Sequence, residues 1–119
     1  VVSQIAISDF KHMFEYTGVQ SFIKGYELEY GKSGSDLLEQ LSPINYADDV
    51  DVPILFKTGF NDPRVPPSDS RRFAFVLKKL GKDVWLYEEV ESGHGGSSKE
   101  QVIFDLTSSY VFTLMHVSD

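Results

Sequence analysis

The stretch PILFKTGFNDPRVPP, residues 53–67, joins a short apolar run to a turn and then to two adjacent prolines. Residues 54–58 are typical of a buried strand, which a proline can open only at its first position. Asn-Asp-Pro favours a tight turn directly after that strand, so Asp62 is either an ordinary turn residue or an acid that a site requires there. The stretch therefore predicts a strand that ends at a polar loop.

Two further strands are predicted on either side of this one in the chain. VVSQIAI, residues 1–7, is a β-branched apolar run of the kind found in an interior strand of a sheet covered on both faces. DVWLYEEV, residues 83–90, alternates as a strand does, with Trp85 and Tyr87 on the same face.

Helical patterns separate these strands. Ser68 is a natural cap for an amphipathic helix that Gly81 ends, and the capping box Ser97-x-x-Glu100 predicts a long last helix. The predicted helical segments are two short helices within 9–25 and single helices near 35–41, 68–80 and 99–115. Because strands and helices alternate, we expect an α/β domain with a mostly parallel sheet of about three strands and helices packed on it.

Two loops carry the residues with catalytic potential. GFNDPRVPP, residues 59–67, and ESGHGG, residues 91–96, each follow a predicted strand, with one helix between them. In a right-handed parallel crossover both loops reach the same edge of the sheet. There Asp62 can accept the Nδ1 proton of His94, hold its tautomer and stabilise the imidazolium that forms during catalysis. The sequence thus predicts two members of a catalytic triad.

A wider likeness supports this interpretation. PILFKTGFNDPRVPPSDSRRFAFVLKKLGK followed by VESGHGG resembles the C-terminal part of the catalytic domain of the prolyl oligopeptidase family, serine peptidases with the α/β-hydrolase fold that cleave short peptides. The resemblance implies that Asp62 is the triad acid and His94 the general base. It also places Arg64 where, in the post-proline-cleaving branch, an arginine bonds a substrate carbonyl. Pairing of Arg64 with Asp62 or a nearby carboxylate is the alternative.

The third member of the triad, the nucleophilic serine, is not recognisable in this sequence. No G-x-S-x-G elbow occurs in the chain, and GKSGS at residues 31–35 lacks the second glycine at its place and follows no predicted strand. In the family the elbow precedes the strand that VVSQIAI resembles. We therefore expect residues 1–119 to form a partial hydrolase domain, truncated before residue 1 and inactive alone, with the serine upstream.

The resemblance implies hydrolysis without a metal or other cofactor. Two alternatives stay open: a non-catalytic hydrolase-like module for binding or oligomerisation, and an esterase, since the fold does not fix the substrate. The spacing of the histidines and acids suggests no metal site, and the absence of cysteine excludes a cysteine nucleophile.

The composition limits the classes of molecule that the protein is expected to bind. The 119 residues carry a net charge of −7 without a basic tract, which disfavours nucleic acid, and no apolar run approaches the roughly 20 residues of a membrane span. A peptide substrate is expected, together with a homodimer or higher oligomer through an exposed strand edge and two apolar faces of the last helix. Those faces hold Ile103, Leu106 and Tyr110, and Phe104, Val111 and Met115. Six aromatic residues are expected in the core: Phe73, Phe75, Trp85, Tyr87, Phe104 and Tyr110.

Overall fold

Three parallel strands organise the computed structural model, which describes residues 1–91, 93 and 98–117, and only the backbone of residues 17–19. The strands are β1, Val2–Gln4, β2, Ile54–Gly59, and β3, Val84–Glu89, and their order in the sheet follows their order in the chain. Both strand pairs are parallel, with Phe56 opposite Ser3 on one side and Leu86 on the other. The predicted fold class is confirmed. The segment expected as an interior strand instead forms β1, which within the described residues pairs with β2 alone.

Helices fill the connections between the strands. The α-helices are α1, Phe10–Met13, α2, Ile23–Tyr30, α3, Asp36–Leu41, α4, Pro67–Lys79, and α5, Lys99–Val117, and 3-10 helices cover Thr17–Phe22 and Pro43–Asp49. Across the described part of the chain, none of the helices combines the length and apolar character that crossing a membrane requires.

The main core lies between the sheet and α4. All six residues of β2 are buried, and the ring of Phe56 packs 5.4 Å from that of Phe73 on α4. Gly81, with a φ of +73°, ends this helix as predicted. The predicted cap was wrong, because α4 begins at Pro67 and Pro66 occupies the cap position. Proline suits a helix start, since its fixed φ is already helical and the first N–H groups need no partner within the helix.

Helix α5 packs on the opposite face of the sheet. Trp85 contacts Phe112 at a ring separation of 6.4 Å, and Tyr87 contacts Phe104 at 5.2 Å. At the start of the helix, the Ser98 hydroxyl accepts from the N–H of Gln101, whose side chain accepts from the N–H of Ser98. This capping box lies one residue after the predicted pair, and Ser97 itself is outside the described residues.

The aromatic residues expected in the core divide between core and surface. Phe73 is buried and Tyr87 is half-buried, but Phe75, Phe104 and Tyr110 are more than half exposed, and Trp85 is 50% exposed. For Phe104 and Tyr110 the physical reason is that α5 is apolar around much of its circumference while only one side of it faces the sheet. A second, smaller cluster of Met13, Phe14 and Leu38 lies between α1 and α3.

Candidate active site

Asp62 lies in the loop between β2 and α4, at the C-terminal end of the central strand. Its side chain is buried, and the residue is only 2% exposed. The oxygen Oδ1 accepts hydrogen bonds from the main-chain N–H of Arg64, at 2.8 Å, and of Val65, at 3.0 Å. The N–H of Asp62 donates to the carbonyl of Gly59 at 3.2 Å. The turn predicted from Asn-Asp-Pro therefore forms, and it fixes the carboxylate rather than leaving it in solvent.

The loop after β3 runs directly beside this turn. The N–H of Phe60 donates to the carbonyl of Glu89 at 2.9 Å, and the Asn61 side chain donates to the carbonyl of Val90 at 3.3 Å. Gly93 comes so near that a Cβ added to it would lie 3.6 Å from the carbonyl oxygen of Asn61. The residue that precedes His94 in the chain thus packs against the residue that precedes Asp62. His94 lies outside the described residues, so its contact with Asp62 stays a prediction.

Arg64 extends from the same turn into solvent. Its main-chain N–H is bound to Asp62, while its side chain is exposed. No ion pair joins its guanidinium to a carboxylate among residues 1–91, 93 and 98–117. The alternative that Arg64 pairs with Asp62 therefore has no support there, and its contact with substrate stays a prediction.

A cavity of about 30 Å³ with several polar residues in its lining opens where the three strands end, between the sheet and α5. Its walls include Glu89, which accepts from the Tyr87 hydroxyl at 2.5 Å and from the Gln101 side chain at 3.2 Å. The bond to the Glu89 carboxylate, together with burial, raises the pKa of Tyr87 to about 12. The same bond is the main cause that lowers the pKa of Glu89. Glu89 and Gln101 thus join the two ends of the loop that contains His94.

Lys57 is a second charged residue that lines this cavity. It is 1% exposed, and its Nζ lies 2.5 Å from Asp105 Oδ1 and within hydrogen-bond distance of the hydroxyls of Ser108 and Ser109. Gln4, at the end of β1, donates to the other oxygen of Asp105 at 3.2 Å. The ion pair fastens α5 to the central strand. Sequence reasoning missed it because Lys57 stands inside an apolar run and its partner lies on a distant helix.

Comparisons with known proteins agree on one family. The model of the prolyl oligopeptidase family matches residues 1–119. The chain is 28% identical over 94 residues to the uncharacterized peptidase YuxL of Bacillus subtilis (strain 168), covering 78% of this chain and 14% of that protein. A puromycin-hydrolysing peptidase of Mycobacterium tuberculosis superposes with a TM-score of 0.86 at 27% identity, covering 98% of this chain and 18% of the other. An acylaminoacyl peptidase of Pyrococcus horikoshii shares the fold, with a TM-score of 0.79 at 24% identity over 94% of this chain and 18% of its own.

Proposed function

The chain belongs to the prolyl oligopeptidase family, and from that membership we propose that the protein is a serine peptidase with Asp62 as triad acid and His94 as general base. The observation that carries the proposal is the turn at Asp62, a buried carboxylate with one oxygen fixed by two main-chain N–H groups at the end of the central strand. The packing of Gly93 against Asn61 supports it, because it brings the start of the His94 loop to that turn.

The proposed mechanism follows from these roles. The Asp62 carboxylate accepts the Nδ1 proton of the imidazole, which leaves Nε2 to take the proton of the serine hydroxyl as Oγ attacks the substrate carbonyl. The imidazolium then gives that proton to the departing amine as the C–N bond breaks, which leaves an acyl-enzyme. Water, deprotonated by the same imidazole, releases the acid product. Asp62 stays ionised throughout and stabilises the imidazolium.

The nucleophilic serine is the part of the triad that we propose to lie elsewhere in the protein. The 119 residues contain no G-x-S-x-G sequence, and they correspond to 14% of YuxL and 18% of the mycobacterial peptidase. Residues 1–119 are accordingly proposed as one portion of an α/β-hydrolase domain, inactive without the portion that carries the serine.

The proposed substrates are short peptides. Arg64 is the proposed contact for a substrate carbonyl, and two observations support this role. Its guanidinium is exposed, and its own N–H is bound to Asp62, so the side chain starts within the turn that holds the acid.

Self-association of the isolated 119-residue chain is a further part of the proposal. The two apolar faces of α5 defined above are exposed along the helix, including Ile103, Leu106, Tyr110, Val111 and Met115. Exposed apolar area of this extent favours burial against another surface, and a second copy of the chain offers the same surface.

The test is labelling with a fluorophosphonate, which reacts with an activated serine. We expect the full-length protein to react, His94→Ala to abolish the reaction, and the isolated 119 residues not to react. The matched control is His116→Ala in the last turn of α5, which should react as the unaltered protein does. Labelled protein that hydrolyses esters but not peptides would indicate the esterase. A folded full-length protein that does not react, or reacts equally after His94→Ala, would contradict the proposed function and favour the binding module.

A further inference from the structure

Tyr16, just beyond the end of α1, makes a long-range contact with the proposed acid. Its hydroxyl donates a hydrogen bond to the main-chain carbonyl of Asp62 at 3.2 Å, across 46 residues of chain. The rest of the side chain is half-buried and packs on the small cluster that includes Met13 and Leu38. The contact joins the segment that follows β1 to the turn that follows β2.

A network at the other end of α1 holds this helix in place. The carboxylate of Asp69, which is fully buried in the first turn of α4, accepts from the N–H of Ser8 at 3.0 Å and of Asp9 at 3.2 Å. The Ser8 hydroxyl donates to the Asp69 carbonyl at 3.0 Å. Arg72 bridges Asp9, at 2.8 Å, and Asp69, at 3.3 Å. Because α4 follows the Asp62 loop, the base of α1 is fixed to the element where that loop ends.

Every polar group of the Asp62 main chain is therefore held. The N–H is bound to Gly59, the carbonyl is bound by Tyr16, and Oδ1 of the side chain is bound by two N–H groups. Fixing both peptide planes around a residue fixes the direction of its Cα–Cβ bond. The two hydrogen bonds to Oδ1 then select the side-chain rotamer, and with it the direction of the carboxylate. We infer that Tyr16 is a positioning residue, which holds the peptide of Asp62 so that the carboxylate meets the imidazole of the base.

The inference rests on the proposed function, and it is tested by removing one hydroxyl. Tyr16→Phe keeps the ring in its apolar cluster and deletes only the hydrogen bond to Asp62. In the full-length protein we expect kcat to fall about two- to tenfold with little change in KM, since a neutral hydrogen bond contributes roughly 0.5–1.5 kcal/mol. Rates are calculated per active site titrated with fluorophosphonate, so that unfolded protein does not lower the measured kcat.

The matched control removes the same kind of hydrogen bond, from a tyrosine hydroxyl to a main-chain carbonyl, at a position away from Asp62. The Tyr46 hydroxyl also donates to a main-chain carbonyl, that of Gln40, at 2.7 Å. Neither residue belongs to the Asp62 turn or to the elements that hold it. Tyr46→Phe should therefore leave kcat and KM unchanged.

A double-mutant cycle separates positioning from general structural support. If Tyr16 acts through Asp62, Tyr16→Phe should have no further effect on kcat once Asp62→Asn is present. An equal loss in both backgrounds, or a kcat for Tyr16→Phe that matches Tyr46→Phe, would overturn the inference while leaving the peptidase intact. A wild-type protein that does not react with fluorophosphonate would overturn the proposed function and the inference together.

Discussion

One oxygen of Asp62, Oδ1, accepts the N–H groups of both Arg64 and Val65. A buried carboxylate is costly unless hydrogen-bond donors compensate it, and Asp62 receives two such donors from its own loop. These two hydrogen bonds come from within three residues of Asp62 in the sequence. For this reason the turn was predictable from Asn-Asp-Pro, whereas the bond from Tyr16 was not, since nothing local connects residues 46 positions apart.

We expect Asp62→Asn to reduce kcat of the full-length protein by about 10³- to 10⁴-fold, as loss of the triad acid does when the imidazole takes the wrong tautomer. The fold should persist, because the amide oxygen of Asn can accept the same two N–H groups. Steady-state kinetics measures the loss, and circular dichroism checks the fold. Asp49→Asn, at an exposed position, is the control. A loss below tenfold would argue against a triad role for Asp62.

A second expectation concerns the buried ion pair of Lys57 and Asp105. Lys57→Met should lower the free energy of unfolding by about 2–3 kcal/mol, because it removes the cationic partner of the partly buried Asp105 side chain. The pair of changes Lys57→Met and Asp105→Leu should recover most of that loss, since two apolar side chains need no compensation. Urea unfolding of each variant measures both values. A double variant no more stable than the single one would show that the pair is not the source of the effect.

Helix boundaries mark the limit of what local sequence determines. The strands and helices follow from periodic patterns, and the parallel sheet follows from their alternation. Caps depend on competition between neighbours, so a capping box joins Ser98 to Gln101, and Pro66 rather than Ser68 precedes α4. The exposure of Phe75 and Tyr110 was equally beyond prediction, because the side of a helix that packs is decided by the elements around it.

The hydrogen bonds between β3 and the start of α5 predict a pH dependence. The pKa of Glu89 lies below its usual value of 4.5, chiefly because of the bond from Tyr87. A lowered pKa stabilises the folded state above pH 4.5, and this contribution is lost as the pH falls through the folded pKa. We therefore expect the free energy of unfolding to fall more steeply with acid in the wild type than in Glu89→Gln. Glu100→Gln, at an exposed position in the first turn of α5, should keep the wild-type slope. Equal slopes for wild type and Glu89→Gln would contradict this account.

At the scale of the whole molecule the chain is broad and thin. It extends 43 × 35 × 21 Å, and its radius of gyration of 15.1 Å exceeds the roughly 13.5 Å of a compact domain of this length. Many of the large apolar side chains that are exposed in the described part of the chain belong to α5. Such a shape is expected of a layer of sheet and helices that packs against further structure, rather than of a compact domain that buries its own apolar surface.

We expect the isolated 119-residue chain to sediment as a dimer or larger species at micromolar concentration. Leu106→Lys together with Tyr110→Lys places charge on one exposed face of α5 and should shift the chain toward monomer. Leu28→Lys, at the most exposed apolar residue of α2, serves as the matched control. A monomer mass that is independent of concentration would rule out the association.

The central position of β2 bears on how the chain opens locally. Its amides are bonded in ladders on both sides, and all six of its residues are buried. We therefore expect these amide protons to exchange with solvent mainly through openings close to complete unfolding, whereas the ends of α5 can fray at far lower free energy. The proposed acid Asp62 follows this strand within three residues, so we expect its position to persist through local openings of the helices around it.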